Sequence, residues 1–224
     1  MMCRPELLAP AGTMEKLEAA LRYGADAAYL GGRQFSLRAF GGNFAQNEIA
    51  AAIRLAHGME KKIYVTVNAF PHNEDLVSLP DYLRFLKEAG ADAVLVADLG
   101  VFMCARETAP GLPIHVSTQA NNVNWRTVRA WQELGAARVV LARELSAAEI
   151  REIRRATDVE LELFVHGAMC ISYSGRCLLS SYFTGRDANR GSCAQSCRWK
   201  YALVEESRPE EYYPIAEDER GTYI

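Results

Sequence analysis

The sequence predicts an α/β fold: an incomplete (β/α) barrel of the TIM type, followed by a cysteine-rich segment and the start of a C-terminal β-hairpin. Three observations predict it. Short apolar runs alternate with amphipathic stretches over the first 166 residues, one helix–strand junction recurs three times, and most of the apolar runs finish on a polar side chain. Such alternation is the order of a parallel sheet covered by helices, and polar strand ends are what a barrel gathers at one rim.

The repeated junction reads LEAALRYGADAAYL at 17–30, LRFLKEAGADAVLV at 83–96 and VRAWQELGAARVVL at 128–141. Each is an amphipathic helix stopped by a glycine (Gly24, Gly90, Gly135) and followed at once by an apolar run. Glycine suits the left-handed position just past a helix, and an unalternating apolar run is what a parallel strand covered on both faces looks like. Strands are expected at 6–9, 27–30, 62–68, 93–97, 113–118, 138–142 and 160–165, with helices at 13–23, 47–58, 79–89, 99–107, 124–134 and 147–156. No Gly-x-Gly-x-x-Gly follows the first strand, so a dinucleotide-binding Rossmann domain lacks its fingerprint.

Seven strands leave a TIM barrel one short. Beyond them, 199–204 and 223–224 read as two arms of a hairpin around the acidic linker EESRPEEYYPIAEDERG, and the chain stops mid-pattern. The expectation is therefore a fragment, divided into a barrel portion at 1–166, a cysteine-rich segment at 167–200 and a truncated hairpin at 201–224.

Composition sets bounds on function. With 224 residues, 50% of them hydrophobic, the chain can bury one sizeable core. A net charge of −3 argues against a coat of basic patches, yet between 166 and 200 five Lys or Arg stand against one Asp. That basic island would attract an anion, whether RNA phosphate or a small anionic co-substrate. No secretory-signal pattern opens the chain and no apolar run is long enough to span a bilayer. The expected setting is cytoplasmic, with reduced thiols and no membrane.

Four of the six cysteines, Cys170, Cys177, Cys193 and Cys197, fall in that basic segment, with gaps of six, fifteen and three residues. Four thiolates from a loop can bind an iron-sulfur cluster, bind zinc or pair as disulfides. Zinc sites favour close Cys-x2-Cys knuckles, so the spacing favours a 4Fe-4S cluster, with zinc as the alternative. Gly167, Gly175 and Gly191 offer backbone N–H groups to cluster sulfurs. Cys3 and Cys104 stand apart and read as spectators.

Just past the strands come Asn68, Asp98, Gln119 with Asn121, Arg143 with Glu144, and His166. Amides and charges do not suit a core, so the first six are candidate substrate-binding residues; each also has a local explanation, as a loop ligand, helix cap or ion pair. His166, Tyr173 and Arg176 flank or lie within the first cysteine pair and are the candidate catalytic residues. His57, His72 and His115 read as background. The loop GGRQFSLRAFGGNF after the second strand is long enough to be a lid or a base-stacking surface, although Tyr29 and Phe35 suit core packing and Phe40 and Phe44 complete its aromatic set.

Two stretches carry a resemblance. Glu162-x-Phe164-x-x-Gly167-Ala168-Met169-Cys170 continues through Gly175-x-Cys177 to Ser180, then Arg186-Asp187, Gly191-Ser192-Cys193 and Cys197-Arg198-Trp199; the opening reads Glu6-Leu7-Leu8-Ala9-Pro10-Ala11-Gly12. The pattern resembles the collagenase-like peptidase family, and within it the branch concerned with tRNA hydroxyuridine. The resemblance implies an oxygen-independent hydroxylase of tRNA uridine, or of an rRNA cytidine or a quinone ring, with a 4Fe-4S cluster and prephenate as oxygen donor. Other branches of that family take one cluster cysteine from elsewhere in the chain.

Two other functions are weighed against it. A peptidase would need an activated nucleophile or a metal-bound water, and the sequence has no His-Glu-x-x-His, no Gly-x-Ser-x-Gly and no Cys-His-Asn set apart from the four cysteines. A zinc-stabilised barrel binding RNA or a protein is the non-enzymatic reading.

Overall fold

A computed structural model of the chain describes residues 4–37, 42–167, 170–219 and 221–223. Seven parallel strands run in sequence order: β1 (Leu8–Pro10), β2 (Ala27–Gly31), β3 (Lys62–Val67), β4 (Ala93–Val96), β5 (Ile114–Val116), β6 (Arg138–Val140) and β7 (Glu160–Glu162). Between them lie α1 (Met14–Arg22), α2 (Gln46–His57), α3 (Leu79–Glu88), α4 (Leu99–Thr108), α5 (Trp125–Leu134) and α6 (Ala147–Ala156). The sheet curls into an incomplete barrel. Arg138 Nη1 on β6 reaches Glu6 Oε1, two residues before β1, at 2.7 Å, which a flat seven-stranded sheet in this order would forbid.

Local chemistry explains the helix ends. Thr13, Asp98, Asn124 and Ser146 each accept a backbone N–H three residues on, and Glu149 Oε2 returns a bond to the Ser146 N–H at 2.8 Å. These caps satisfy donors that the first helical turn leaves open. All three junction glycines take the left-handed backbone the sequence predicts, with φ of 108° at Gly24, 84° at Gly90 and 96° at Gly135.

The main core lies between sheet and helices, where Leu17, Ile49, Ile53, Leu83, Leu86 and Phe102 are fully buried. Each such side chain contributes about 1.5–3 kcal/mol of transfer free energy. A second, small cluster of Ala27, Tyr64, Ala93, Leu95 and Val140 lies inside the barrel.

The strands are shorter than the apolar runs suggest. The β7 ladder stops at Glu162, whose carbonyl accepts the Leu141 N–H at 2.9 Å, because β6 is its one neighbour and has ended at Val140. Residues 163–165 continue without pairing, and Val165 is exposed. Similarly, Thr118, the last residue of the strand expected at 113–118, instead opens a 3-10 turn, Thr118–Ala120.

The hairpin is also arranged differently. Its second arm lies within the acidic linker: β8 (Ala202–Glu205) pairs antiparallel with β9 (Arg208–Pro214), Leu203 opposite Tyr213 and Val204 opposite Tyr212. Cross-strand pairing of aliphatic with aromatic side chains outweighs the local charge. Then β10 (Ala216–Asp218) pairs with β11 (Gly221–Tyr223); Ile224 lies outside the described residues. Among the described residues no helix is long and apolar enough to cross a membrane.

Candidate active site

Side chains alternate across a strand, so every second residue of β3, β5, β6 and β7 points into the barrel. The inward sets are Tyr64 and Thr66, leading to Asn68; His115 and Ser117, leading to Gln119; Arg138 and Val140; and Glu160 and Glu162, leading to Phe164. They form two layers of different character.

The lower layer is an ionic knot. Arg138, 9% exposed, binds Glu6 at 2.7 Å, Glu160 at 2.8 Å and Glu162 at 3.4 Å, and Tyr64 Oη donates to Glu6 at 2.9 Å. Burial alone would raise the Glu6 carboxyl, but the Arg138 and Tyr64 hydrogen bonds outweigh it and hold it below the usual carboxylate range. At Glu162 burial wins and pushes the carboxyl up against the pull of Arg138. His115, edge-on to the Tyr64 ring at 4.7 Å, is pushed down to about 3 by burial and then by the Arg138 charge.

Above the knot, at the C-terminal ends of the strands, a cavity of about 210 Å³ opens. Glu162 and Val140 belong to its floor; Ser36, Thr66, Asn68, Ser117 and Gln119 supply polar wall, and Tyr29 and Phe164 aromatic wall. The polar groups bond one another: Ser36 Oγ and Thr66 Oγ1 lie 2.9 Å apart, Asn68 Nδ2 donates to Gln119 Oε1 at 3.4 Å, and Ser117 Oγ also donates to Gln119 Oε1. Residues Ser36, Leu37, Gly42 and Asn43 of the long loop close one side, with the Leu37 N–H on Asn68 Oδ1 at 3.2 Å. Residues 38–41, Phe40 among them, lie outside the described part.

The cysteine segment docks on this rim. Ser174 donates its N–H to Glu144 Oε1 at 2.7 Å and its hydroxyl to Asn121 Oδ1 at 2.9 Å; Arg176 Nε donates to the Gln119 carbonyl at 3.1 Å and its guanidinium lies over Phe70. Asn189 holds both backbone groups of Cys177 at 3.0 Å, and its own carbonyl accepts the Phe70 N–H at 3.2 Å. Arg190 pairs with Asp75 at 3.0 Å. A short helix, α7 (Leu179–Thr184), lies inside the segment.

Cys170, Cys177, Cys193 and Cys197 are all free thiols. Cys177 Sγ accepts the Leu179 N–H and Cys193 Sγ the Gln195 N–H, each at 3.3 Å. The Ser172 hydroxyl, with the Ser180 and Leu179 N–H groups, lowers the Cys177 thiol below its ordinary value. Soft, unpaired thiols backed by N–H donors are the donor chemistry of an iron-sulfur cluster. Among the described residues no group of three or more His, Cys, Asp or Glu is disposed to hold a metal ion.

The sequence pattern of peptidase family U32 matches residues 12–224. The chain belongs to peptidase family U32. It is 51% identical over 202 residues to tRNA hydroxylation protein P1 of Bacillus subtilis, an alignment covering 90% of this chain and 48% of that protein. It is 43% identical to tRNA hydroxylation protein P of Escherichia coli, covering all of this chain and 58% of the relative. The chain thus spans about half the length of these curated relatives. Among solved structures, the U32 peptidase Mk0906 superposes with a TM-score of 0.62 at 16% identity, over 71% of this chain and 68% of that one, which shows the barrel fold.

Within this U32 chain the sequence-predicted residues sort by what they touch. Asn68 and Gln119 line the cavity. Asn121 and Glu144 hold the cysteine segment to the rim, and Asp98 caps α4 through the Val101 N–H at 3.0 Å. Arg143 lies over the Phe164 ring at 5.6 Å with its Nε unbonded. Tyr173, between Cys170 and Cys177 in sequence, is exposed, and so is His166 ahead of Cys170. Cys104 packs against the main core, and Cys3 lies outside the described residues.

Sequence reading passes over Thr66, Ser117 and Glu162 as cavity residues, and over His115, Arg138 and Tyr64 as the knot. Their signal is the period of two: polar residues recur at alternate positions of β3, β5 and β7.

Proposed function

We propose that this chain is the barrel and cluster-bearing portion of an enzyme that hydroxylates a tRNA uridine without molecular oxygen. The observation that carries the reading is 51% identity to a tRNA hydroxylation protein over 90% of the chain, in a barrel whose C-terminal rim holds a polar cavity and docks, through Ser174 and Arg176, a segment that carries four unpaired thiols. In this reading Cys170, Cys177, Cys193 and Cys197 hold a 4Fe-4S cluster, prephenate serves as oxygen donor, and the setting is cytoplasmic. The cluster supplies the electron-transfer chemistry.

The chain's own residues supply position. Asn189, Ser174 and Arg176 fix the Cys177 end of the segment to the barrel, and Cys170, Cys177, Cys193 and Cys197 would be the groups that hold the cluster. Arg143, at the Phe164 end of the cavity, and Arg176 face the RNA phosphates or the anionic co-substrate as donors of charge-assisted hydrogen bonds. His166 and Tyr173, which flank the thiols, contact the substrate.

Anaerobic purification tests the cluster: brown protein with about four irons per chain, falling sharply in Cys177→Ser and unchanged in Cys104→Ser. Nucleoside analysis of tRNA from cells lacking the full-length gene then tests the reaction, with loss of a hydroxylated uridine as the expected result. A colourless preparation holding one zinc overturns the cluster assignment. Peptide cleavage that survives replacement of all four cysteines overturns the hydroxylase.

A further inference from the structure

The cavity between the rim and the ionic knot has a chemistry of its own. Its polar wall includes hydroxyls (Ser36, Thr66, Ser117, Thr118) and amides (Asn43, Asn68, Gln119), groups that can each donate and accept. Among the described residues no Lys, Arg or His lines it, and the one ionisable acid in its wall is Glu162. Arg138, the nearest cation below, is already shared by Glu6, Glu160 and Glu162. A carboxylate ligand would therefore enter beside an acid with no cation among the described wall residues to offset either charge, whereas Arg143 and Arg176 offer theirs at the rim. Size points the same way: about 210 Å³ is below the roughly 300–1,000 Å³ of pockets that enclose drug-sized ligands, and holds one ring with little attached.

We infer that this cavity is the seat of a single uncharged pyrimidine base, extruded from the RNA strand, and that the anionic co-substrate is held outside it. An extruded base is read through the donors and acceptors of its edge and by aromatic or apolar walls. Uracil presents an alternating acceptor, donor, acceptor edge, which the Asn68 and Gln119 amides and the Ser117 hydroxyl can match, and Tyr29 and Phe164 provide the aromatic wall. The cysteine segment docks next to the opening, with Gly175 against the Gln119 side chain and Arg176 on the Gln119 carbonyl. A base in the cavity thus lies close to the thiol-bearing segment. Charged parts of either substrate meet Arg143 and Arg176 at the rim.

The inference rests on the tRNA reading above, and its test does not need turnover. The intact chain is titrated with uridine and, separately, with prephenate, and amide resonances are followed by NMR. Uridine is expected to shift the signals of Thr66, Ser117 and Gln119 saturably, with binding weakened tenfold or more in Asn68→Ala and in Gln119→Ala. Unchanged urea midpoints show that both variants fold. Prephenate is expected to leave those three signals in place. Prephenate shifts at the same residues, uridine binding indifferent to both substitutions, or no uridine binding at all each overturns the assignment. Hydroxylated uridine that persists in tRNA from cells lacking the gene, alongside normal uridine binding, supports the cavity and faults the tRNA reading.

Discussion

Replacing Arg138 by methionine should be among the most damaging single changes in the barrel. The guanidinium is 9% exposed and meets three carboxylates, but those partners are unequal. The side chain of Glu160 is 67% exposed, so solvent screens its pair and leaves it worth about 0–1 kcal/mol. Glu6 and Glu162, at 23% and 17%, are largely enclosed, and removing their shared cation strands acids in the barrel, which costs about 3–5 kcal/mol. That is a large share of the roughly 5–15 kcal/mol by which domains are stable.

Urea denaturation at pH 7 measures the loss, with Glu160→Gln as the control, expected to cost under about 1 kcal/mol. A pH series adds a signature. Without Arg138 the Glu6 carboxyl is no longer held below its ordinary value, so the variant should recover part of its deficit as pH falls through the carboxylate range and the stranded acids take up protons. An Arg138→Met protein within about 1 kcal/mol of the parent, or a deficit independent of pH, refutes the reasoning.

His115 should make the barrel acid-sensitive. Its folded value near 3 lies below the roughly 6.5 of an unfolded histidine, so between those pH values the unfolded chain binds the extra proton. Stability should fall as pH drops below 6.5, by up to about 1.4 kcal/mol per unit from this group, and His115→Phe should flatten that slope in urea titrations. Asp98→Ala should cost about 0.5–2 kcal/mol through the lost cap, with the proposed tRNA hydroxylation by the full-length protein unchanged once folding is matched; a selective loss of that activity would return Asp98 to the substrate. Ser174→Ala removes the hydroxyl bond to Asn121, worth about 0.5–1.5 kcal/mol, and should speed amide exchange across 170–197 without moving the global midpoint.

Most of the fold is legible because local chemistry and the final topology agree. Gly24, Gly90 and Gly135 mark helix ends that the backbone then requires, and each following apolar run becomes a strand between two neighbours. Where a neighbour is missing the reading overshoots, as at Leu163 to Val165. The second hairpin arm is hidden because Arg208, Glu210 and Glu211 make β9 look like linker, while Tyr212 and Tyr213, which pair with β8, carry the signal. Cavity residues are obscured for a different reason. A strand assumed to be covered on both faces by apolar groups gives no cause to separate its odd from its even positions, so Thr66 and Ser117 pass as tolerated polar residues and His115 as background.

The same alternation explains why chemistry belongs at one end of this barrel. Both layers of the lumen are polar, but they are satisfied differently. In the lower layer a cation is consumed by three acids and a phenol bonds one of them, so a ligand entering there would have to break charge-assisted bonds before making any. In the upper layer the hydroxyls and amides bond one another through neutral contacts, each worth about 0.5–1.5 kcal/mol net, and a ligand that offers equivalent edges can replace them at smaller cost. Glu162 belongs to both layers, bonded to Arg138 from below and open to the cavity from above. It is therefore the group through which the knot fixes the floor of the cavity, and loosening Arg138 should change what the cavity accepts as well as how stably the barrel folds.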